Sequence, residues 1–272
     1  MSNILVRTIW GALFVGIMIG SFLLGTYSTA VILTLFMAIG LFEFYRFFKE
    51  NEETNPPATT GIVGGILLFI TLLAPSLFDF QLNQLWIAIP VLFLPFFHII
   101  FSLNKNPLAD LMVLAFSWLY ILLPFYFMFS IQSFPIEREY SWGFILGFFV
   151  MVWANDTFAY LSGRFFGKHK LFERISPKKT WQGAIGGFIF TLLFGALYAA
   201  LFKQDFLFWI LAGVVISPMS IFGDLIESRF KRIVNVKDSG TILRGHGGIL
   251  DRFDAAMYAA PFFYLWMTIY FS

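Results

Sequence analysis

The chain has no cysteine among its 272 residues. Disulfides, thiolate metal sites and cysteine nucleophiles are therefore excluded. Charge is scarce as well: Asp, Glu, Lys and Arg make up 12% of the chain, and there are only three histidines. No polar stretch is long enough to form a soluble domain of its own. No GxxxxGK[ST] segment occurs, so a P-loop is excluded. The net charge of +2 says little, and no nucleic-acid partner is expected. What remains is apolar: 59% of residues are hydrophobic, 21% are aromatic, and the mean hydropathy is +0.79. Such a composition belongs to proteins that live in a bilayer.

Nine apolar runs are candidate membrane helices: 5–24, 27–48, 60–77, 86–102, 108–131, 142–163, 183–203, 206–230 and 250–271. Each is close to the roughly 20 residues that cross a bilayer. The expected fold is an all-α, polytopic integral membrane protein with nine transmembrane helices. Pro90 and Pro95 should kink or tilt the short fourth helix. The first run lacks a small-residue cleavage site and reads as a retained helix rather than a signal peptide. Of the 18 basic residues, all but Arg138 and Lys203 fall on one side if the N-terminus is cytoplasmic. That bias fixes the expected orientation, with the C-terminus outside.

Polarity is unevenly spread. Residues 1–135 read as scaffold helices, and residues 136–272 as a catalytic region with a polar site facing the cytoplasm. In the first region, Gly16 with Gly20, and Gly61 with Gly65, are spaced for close helix contact. Glu43 and Arg46 are explained by an i,i+3 pair or by snorkelling, although a direct role for Glu43 in a site is the alternative. His98, alone in a Phe-rich run, reads as a partner in a helix–helix hydrogen bond. The aromatic excess reads as packing and interface anchoring.

Three segments of the second region carry chemistry. Asp156 lies inside the sixth run, eight residues and about 12 Å of helix from Arg164. An acid at that depth is costly unless it is paired or wet, so it should line a cavity open to the cytoplasm. Next comes Ser176-Pro-Lys178-Lys179-Thr180, just before the seventh helix. Its hydroxyls, ammonium groups and the helix N-terminus suit phosphate, or simply lipid headgroups. The third is the stretch from Ser228 to Asp254 with the helix before it. Asp224, Glu227 and Ser228 share a face at i, i+3 and i+4, and Asp251 and Asp254 are three apart. Carboxylates so placed suit Mg²⁺, which takes one or two of them with waters and substrate phosphates. Asp224, Asp251 and Asp254 are the candidate ligands, and a second cation is compatible with the set. The Gly-rich turn around His246 offers free N–H groups. His246 itself could donate to phosphate or accept a proton.

This third segment resembles the signature of the phosphatidate cytidylyltransferases, also called CDP-diacylglycerol synthases. The matching residues are Ser228, Lys231, Arg232, Lys237, Asp238, Gly240, His246, Gly247, Gly248, Asp251, Arg252 and Asp254. Ser176 to Trp181 and the Asp156 segment are similar to the family's other two landmarks. Two positions depart from the pattern: Arg244 stands where Pro is usual, and Gln182 where Glu usually follows the Trp. The resemblance implies transfer of CMP from CTP to phosphatidic acid, with release of pyrophosphate. It implies a catalytic set of Lys237, Asp238, His246 and Asp251. Substrate binding would fall to Ser176, Lys178, Lys179, Thr180, Ser228, Lys231, Arg232, Gly247, Gly248 and Arg252. It further implies a homodimer among membrane lipids, in the cytoplasmic membrane of a bacterium. The competing readings are a CTP-using lipid kinase, an ion-coupled transporter with Asp156 and Asp224 as ion sites, and a non-catalytic scaffold. The halves show no internal repeat of the transporter kind.

Overall fold

Long apolar runs satisfy their backbone groups internally only as helices, and helices are what form. The structure is a computed structural model that describes residues 3–48, 54–78, 86, 88–102, 104–135, 142–234, 236, 239–240 and 247–272. Its helices are α1 (Asn3–Leu23), α2 (Thr26–Arg46), α3 (Ala58–Leu77), α4 (Ala88–Phe101), α5 (Pro107–Ser117), α6 (Leu123–Gln132), α7 (Trp142–Phe166), α8 (Trp181–Leu201), α9 (Phe206–Ile233) and α10 (Leu250–Tyr270). Among the described residues, six helical spans are long and apolar enough to cross a membrane: α2, α3, α5 joined to α6, α7, α8 and α9. The protein is thus a predominantly α-helical integral membrane protein.

The sequence departs from simple helix in two places. The expected fifth helix is interrupted by a π-helical turn, Trp118–Leu122, which joins α5 to α6. Pro124 follows at once; it has no N–H and its ring crowds the preceding turn, and the wider π turn absorbs both effects. The second departure is a hairpin where a loop was expected. Strand β1 (Lys170–Phe172) pairs antiparallel with β2 (Ser176–Thr180), with Phe172 opposite Ser176 and Lys170 opposite Thr180.

The chain divides into two units, Met1–Ser133 with Val236–Arg252, and Phe134–Asn235 with Phe253–Ser272. In the first unit α2 packs on α1, α3 and α6, and α4 packs on α3 and α5. Polar contacts set the registers. Tyr45 and Ser117 share a hydrogen bond of 2.6 Å. The Trp118 indole donates to the Gly61 carbonyl at 2.8 Å. Gly61 and Gly65 are close-packing positions as expected; a Cβ on Gly65 would lie 2.8 Å from Leu41. Gly16 and Gly20 are not, for among the described residues nothing lies within 4 Å of a Cβ at either. His98 approaches Asp110 on α5 at 3.6 Å, too far for a hydrogen bond. The buried Asp110 instead accepts from the Asn55 N–H at 2.7 Å and the Asn104 amide at 2.6 Å.

In the second unit α7, α8 and α9 pack against one another. The fit of α7 to α8 depends on missing side chains. A Cβ on Gly183 would sit 2.7 Å from the Ala159 carbonyl, and one on Gly187 would sit 2.9 Å from the Asn155 carbonyl. Backbone cannot yield as a side-chain tip can, so only glycine serves there. Asn155, fully buried, ties three helices together: its Oδ1 accepts from Ser217 of α9 at 2.6 Å and from Thr191 of α8 at 3.5 Å. Asp205 caps α9 through the Phe208 N–H at 2.7 Å. The aromatic residues are core: Phe144, Phe148, Trp209 and Phe263 stack on one another.

These contacts make a paired expectation. Gly187→Ala should lower unfolding stability in detergent by about 1–3 kcal/mol, the usual cost of overpacking. Gly16→Ala, with open space around it, should leave it within about 0.5 kcal/mol or raise it slightly through helix propensity. Thermal unfolding of the two variants side by side checks this.

Candidate functional site

In the second unit, four elements deliver polar groups to one place. Lys179, on β2, pairs with Asp224 of α9 at 2.6 Å. Ser228, one turn further along α9, donates to Asp224 at 3.1 Å. Lys231 pairs with Glu227 at 3.1 Å, another i,i+4 contact on the same helix. Asp254 of α10 lies within electrostatic reach of Asp224, Glu227 and Lys231. Asp156 of α7 lies within electrostatic reach of Asp254, Asp224 and Lys179. Asp156 is exposed even though its helix is apolar. Four carboxylates therefore face two ammonium groups.

That donor set is hard oxygen with an excess of negative charge, which suits a hard divalent cation. Among the described residues no three His, Asp or Glu side chains already converge on a point that could hold a metal. Mg²⁺ does not require such a cage, since waters and phosphates complete its shell. The Lys179 ammonium occupies the Asp224 carboxylate, and a cation there would have to share it.

The hairpin that presents Lys179 is tied down locally. Lys170 donates to the Pro177 carbonyl at 2.6 Å. Gln182 accepts from the Lys168 and His169 N–H groups at 3.1 and 3.2 Å, and its amide lies 2.9 Å from His169 Nδ1. Gln182, where the family usually has Glu, thus ties the hairpin's entry to the start of α8. Thr180 is buried and caps α8, accepting from the Gly183 N–H at 3.2 Å. Its hydroxyl starts a helix as well as standing beside the lysines. Lys178 is exposed and Ser176 half-buried on the same strand, and Arg232 is exposed on α9.

In the first unit, the end of the signature is organised by two acids. The Asp251 carboxylate accepts through Oδ2 from the Gly248 N–H at 2.8 Å, the Ser239 N–H at 2.9 Å and the Ser239 hydroxyl at 3.0 Å. Gly247 has φ +78, the left-handed region, and its neighbour Gly248 is buried. The second acid is Glu43, on α2. It is fully buried and accepts from the Ile249 and Leu250 N–H groups at 3.0 Å each. The Ser239 hydroxyl donates at 3.1 Å to Glu43 Oε2, the oxygen that also takes the Leu250 N–H. Glu43 therefore does not pair with Arg46, whose guanidinium lies 6.0 Å over the Phe42 ring. Arg252 is exposed. Lys237, Asp238 and His246, and the divergent Arg244, lie outside the described residues.

The sequence reading thus named six members of the second unit's cluster: Asp156, Lys179, Asp224, Ser228, Lys231 and Asp254. It noted Glu227 on the same face without giving it a role. It missed Ser239 and left Glu43 as the lesser of two readings. For Glu43 the usable signal was an acid in an apolar helix, masked by a basic residue three positions on.

An apolar bundle carrying acids and lysines together marks an integral membrane protein that handles charged ligands. Residues 5–270 match the cytidylyltransferase family. The chain is 38% identical to the phosphatidate cytidylyltransferase of Staphylococcus haemolyticus over 204 residues, which cover 74% of this chain and 76% of that protein. It is 31% identical to the Bacillus subtilis phosphatidate cytidylyltransferase over 239 residues, 86% of each chain. The enzyme of that name from Staphylococcus aureus strain COL shares 38% identity over 206 residues, 74% of this chain and 76% of its own. The chain belongs to the cytidylyltransferase family.

The Lys179–Asp224 pair is 24% and 37% exposed at its two side chains, so solvent screens it. A double-mutant cycle of Lys179→Met and Asp224→Asn, read by thermal unfolding, should give a coupling below about 1 kcal/mol. A much larger coupling would make the pair a structural strut.

Proposed function

We propose that this protein transfers CMP from CTP to phosphatidic acid, yielding CDP-diacylglycerol and pyrophosphate for phospholipid synthesis. The observation that carries the reading is the meeting of Asp156, Lys179, Asp224, Glu227, Ser228, Lys231 and Asp254 in a chain of this family. The names of the curated relatives point the same way.

The chemistry asks for charge management rather than a protein nucleophile. A phosphatidate oxygen attacks the α-phosphorus of CTP, a new P–O bond forms, and the α–β bond breaks with its electron pair leaving on pyrophosphate. Both reactants are polyanions, so the main obstacle is their repulsion. Lys179 and Lys231, with Lys178 and Arg232 on the same elements, would neutralise phosphate oxygens. Ser228 would orient Asp224. Asp224 and Asp254 would hold Mg²⁺, with Asp156 lining the space beside them. Bound there, the cation would polarise phosphoryl oxygens and offset charge on the leaving pyrophosphate. Asp251 is the third candidate ligand, and the signature assigns it to catalysis with Lys237, Asp238 and His246. It would instead order the turn after them, since its Oδ2 is engaged by Ser239 and Gly248.

The cytosolic nucleotide and the lipid headgroup must meet at one membrane face. The positive-inside bias supports that face being cytoplasmic, with the N-terminus inside. Nine crossings follow if α1, α4 and α10 span along with the six longer spans. The relatives' sources support the cytoplasmic membrane of a bacterium as the location. The lipid-kinase reading lacks a comparable supporting observation.

Purified protein supplied with labelled CTP, phosphatidic acid and Mg²⁺ should form labelled CDP-diacylglycerol and one pyrophosphate per turnover. Release of CDP in place of pyrophosphate would move the protein to the kinase reading. Asp224→Asn keeps volume and removes charge, and should lower kcat on the order of 10²-fold or more without unfolding the protein. Lys237→Gln should lower kcat more than it raises KM, as for a group that acts on charge developing in the transition state.

A further inference from the structure

Helix α10 begins at Leu250. The first N–H groups of any helix lack an acceptor within it. The usual remedy is a side chain just upstream, but here the acceptor comes from a different helix. Glu43 of α2 takes the Ile249 and Leu250 N–H groups at 3.0 Å each. The Gly248 N–H goes to Asp251 Oδ2 at 2.8 Å. The Ser239 hydroxyl stands between the two acids, 3.1 Å from Glu43 and 3.0 Å from Asp251. Glu43 and Asp251 thus grip one turn from opposite sides, and the gripped turn closes the signature loop.

The glycines of the signature fit this grip. A Cβ on Gly240 would fall 2.5 Å from Glu43 Oε1, and one on Gly248 would run into the same carboxylate and the Ser239 hydroxyl. The loop comes this close to α2 because those positions carry no side chain. Glu43 itself is fully buried, and its position on α2 leaves it no basic partner among the described residues. A buried ionisable group without a counter-ion is costly, and amide donors to it offset that cost only while the turn keeps its shape.

We infer that Glu43 is a positioning residue for the transfer reaction: it fixes the 247–251 turn, and through that turn Asp251. The inference rests on the cytidylyltransferase reading above. Glu43 touches no substrate in this account; it acts through the turn it holds.

The test uses the full-length protein in detergent or nanodiscs, and has one readout that does not depend on activity. Glu43→Gln keeps the shape but points an amide donor where an acceptor is needed. Hydrogen exchange at Ile249 and Leu250 should quicken by about 10-fold or more, because no other acceptor among the described residues serves those amides. In the assay with CTP, phosphatidic acid and Mg²⁺, kcat should fall about 10- to 100-fold, the range seen when an orienting partner is lost. Glu43→Gln with Asp251→Asn together should be no slower than Asp251→Asn alone, because both act on one turn. Losses that multiply would make Glu43 a general structural residue and overturn the inference. Unchanged exchange and unchanged kcat in a folded Glu43→Gln protein would overturn it too. Should Glu43→Gln fail to fold, Ser239→Ala takes its place in the same cycle: a kcat loss that does not add to Asp251→Asn supports the inference, and an additive one overturns it. If wild-type protein forms no CDP-diacylglycerol yet exchange responds to Glu43→Gln, the functional reading has failed and the grip on the turn has not.

Discussion

A polar or ionisable side chain buried inside an apolar bundle must find a partner there, because lipid offers none and water is excluded. With only 12% of the chain charged, that rule acts on few residues. Asn155 holds α8 and α9 to α7 through Thr191 and Ser217. Asp110 gathers Asn55 and Asn104. Glu43 gathers the start of α10. Apolar contacts between helices are numerous but interchangeable, since a Phe slides past a Leu at little cost. The polar contacts are few and specific, and they set the register.

The same rule separates structure from chemistry. Polar groups with a structural task are buried and held at short distance: Glu43, Asp110 and Asn155 are all essentially inaccessible. In the second unit's cluster Glu227 is buried too, but Asp224 and Lys179 are partly accessible and Asp156 is exposed. The charges of Lys179 and Asp224 offset one another in a pair that solvent can reach. On the proposed reading that openness has a use, because a locked ion pair could not be displaced by a polyanionic substrate.

Much of this was legible in the sequence. Long apolar runs gave helix positions to within a few residues, since length and hydropathy alone decide whether a run can span. Asp156, Lys179, Asp224 and Asp254 were legible because acids and bases in apolar surroundings are rare and expensive. The π turn at Trp118–Leu122 was less legible; it answers to Pro124 and to packing of the Trp118 ring on α3. The β1–β2 hairpin is too short for alternation to show. Gly16 and Gly20 had the spacing of a contact but face no neighbour among the described residues, because spacing specifies a face and not what lies against it. Glu43 misled for a related reason. Arg46 at i+3 supplied a local explanation, while the true partners are more than 200 residues away in the chain. Local patterns report on local partners, and a carboxylate that serves a distant turn leaves no local trace.

The central claim is that this chain supplies charge and geometry while the lipid phosphate supplies the nucleophile. The absence of cysteine already removes one covalent route. The most direct measurement is the stereochemical course at the α-phosphorus, followed with CTP made chiral there by sulfur substitution. A single in-line displacement by phosphatidate inverts that centre, and inversion in the CDP-diacylglycerol product is the result expected here. Retention would mean two displacements and a covalent nucleotidyl-protein intermediate, and would contradict the account.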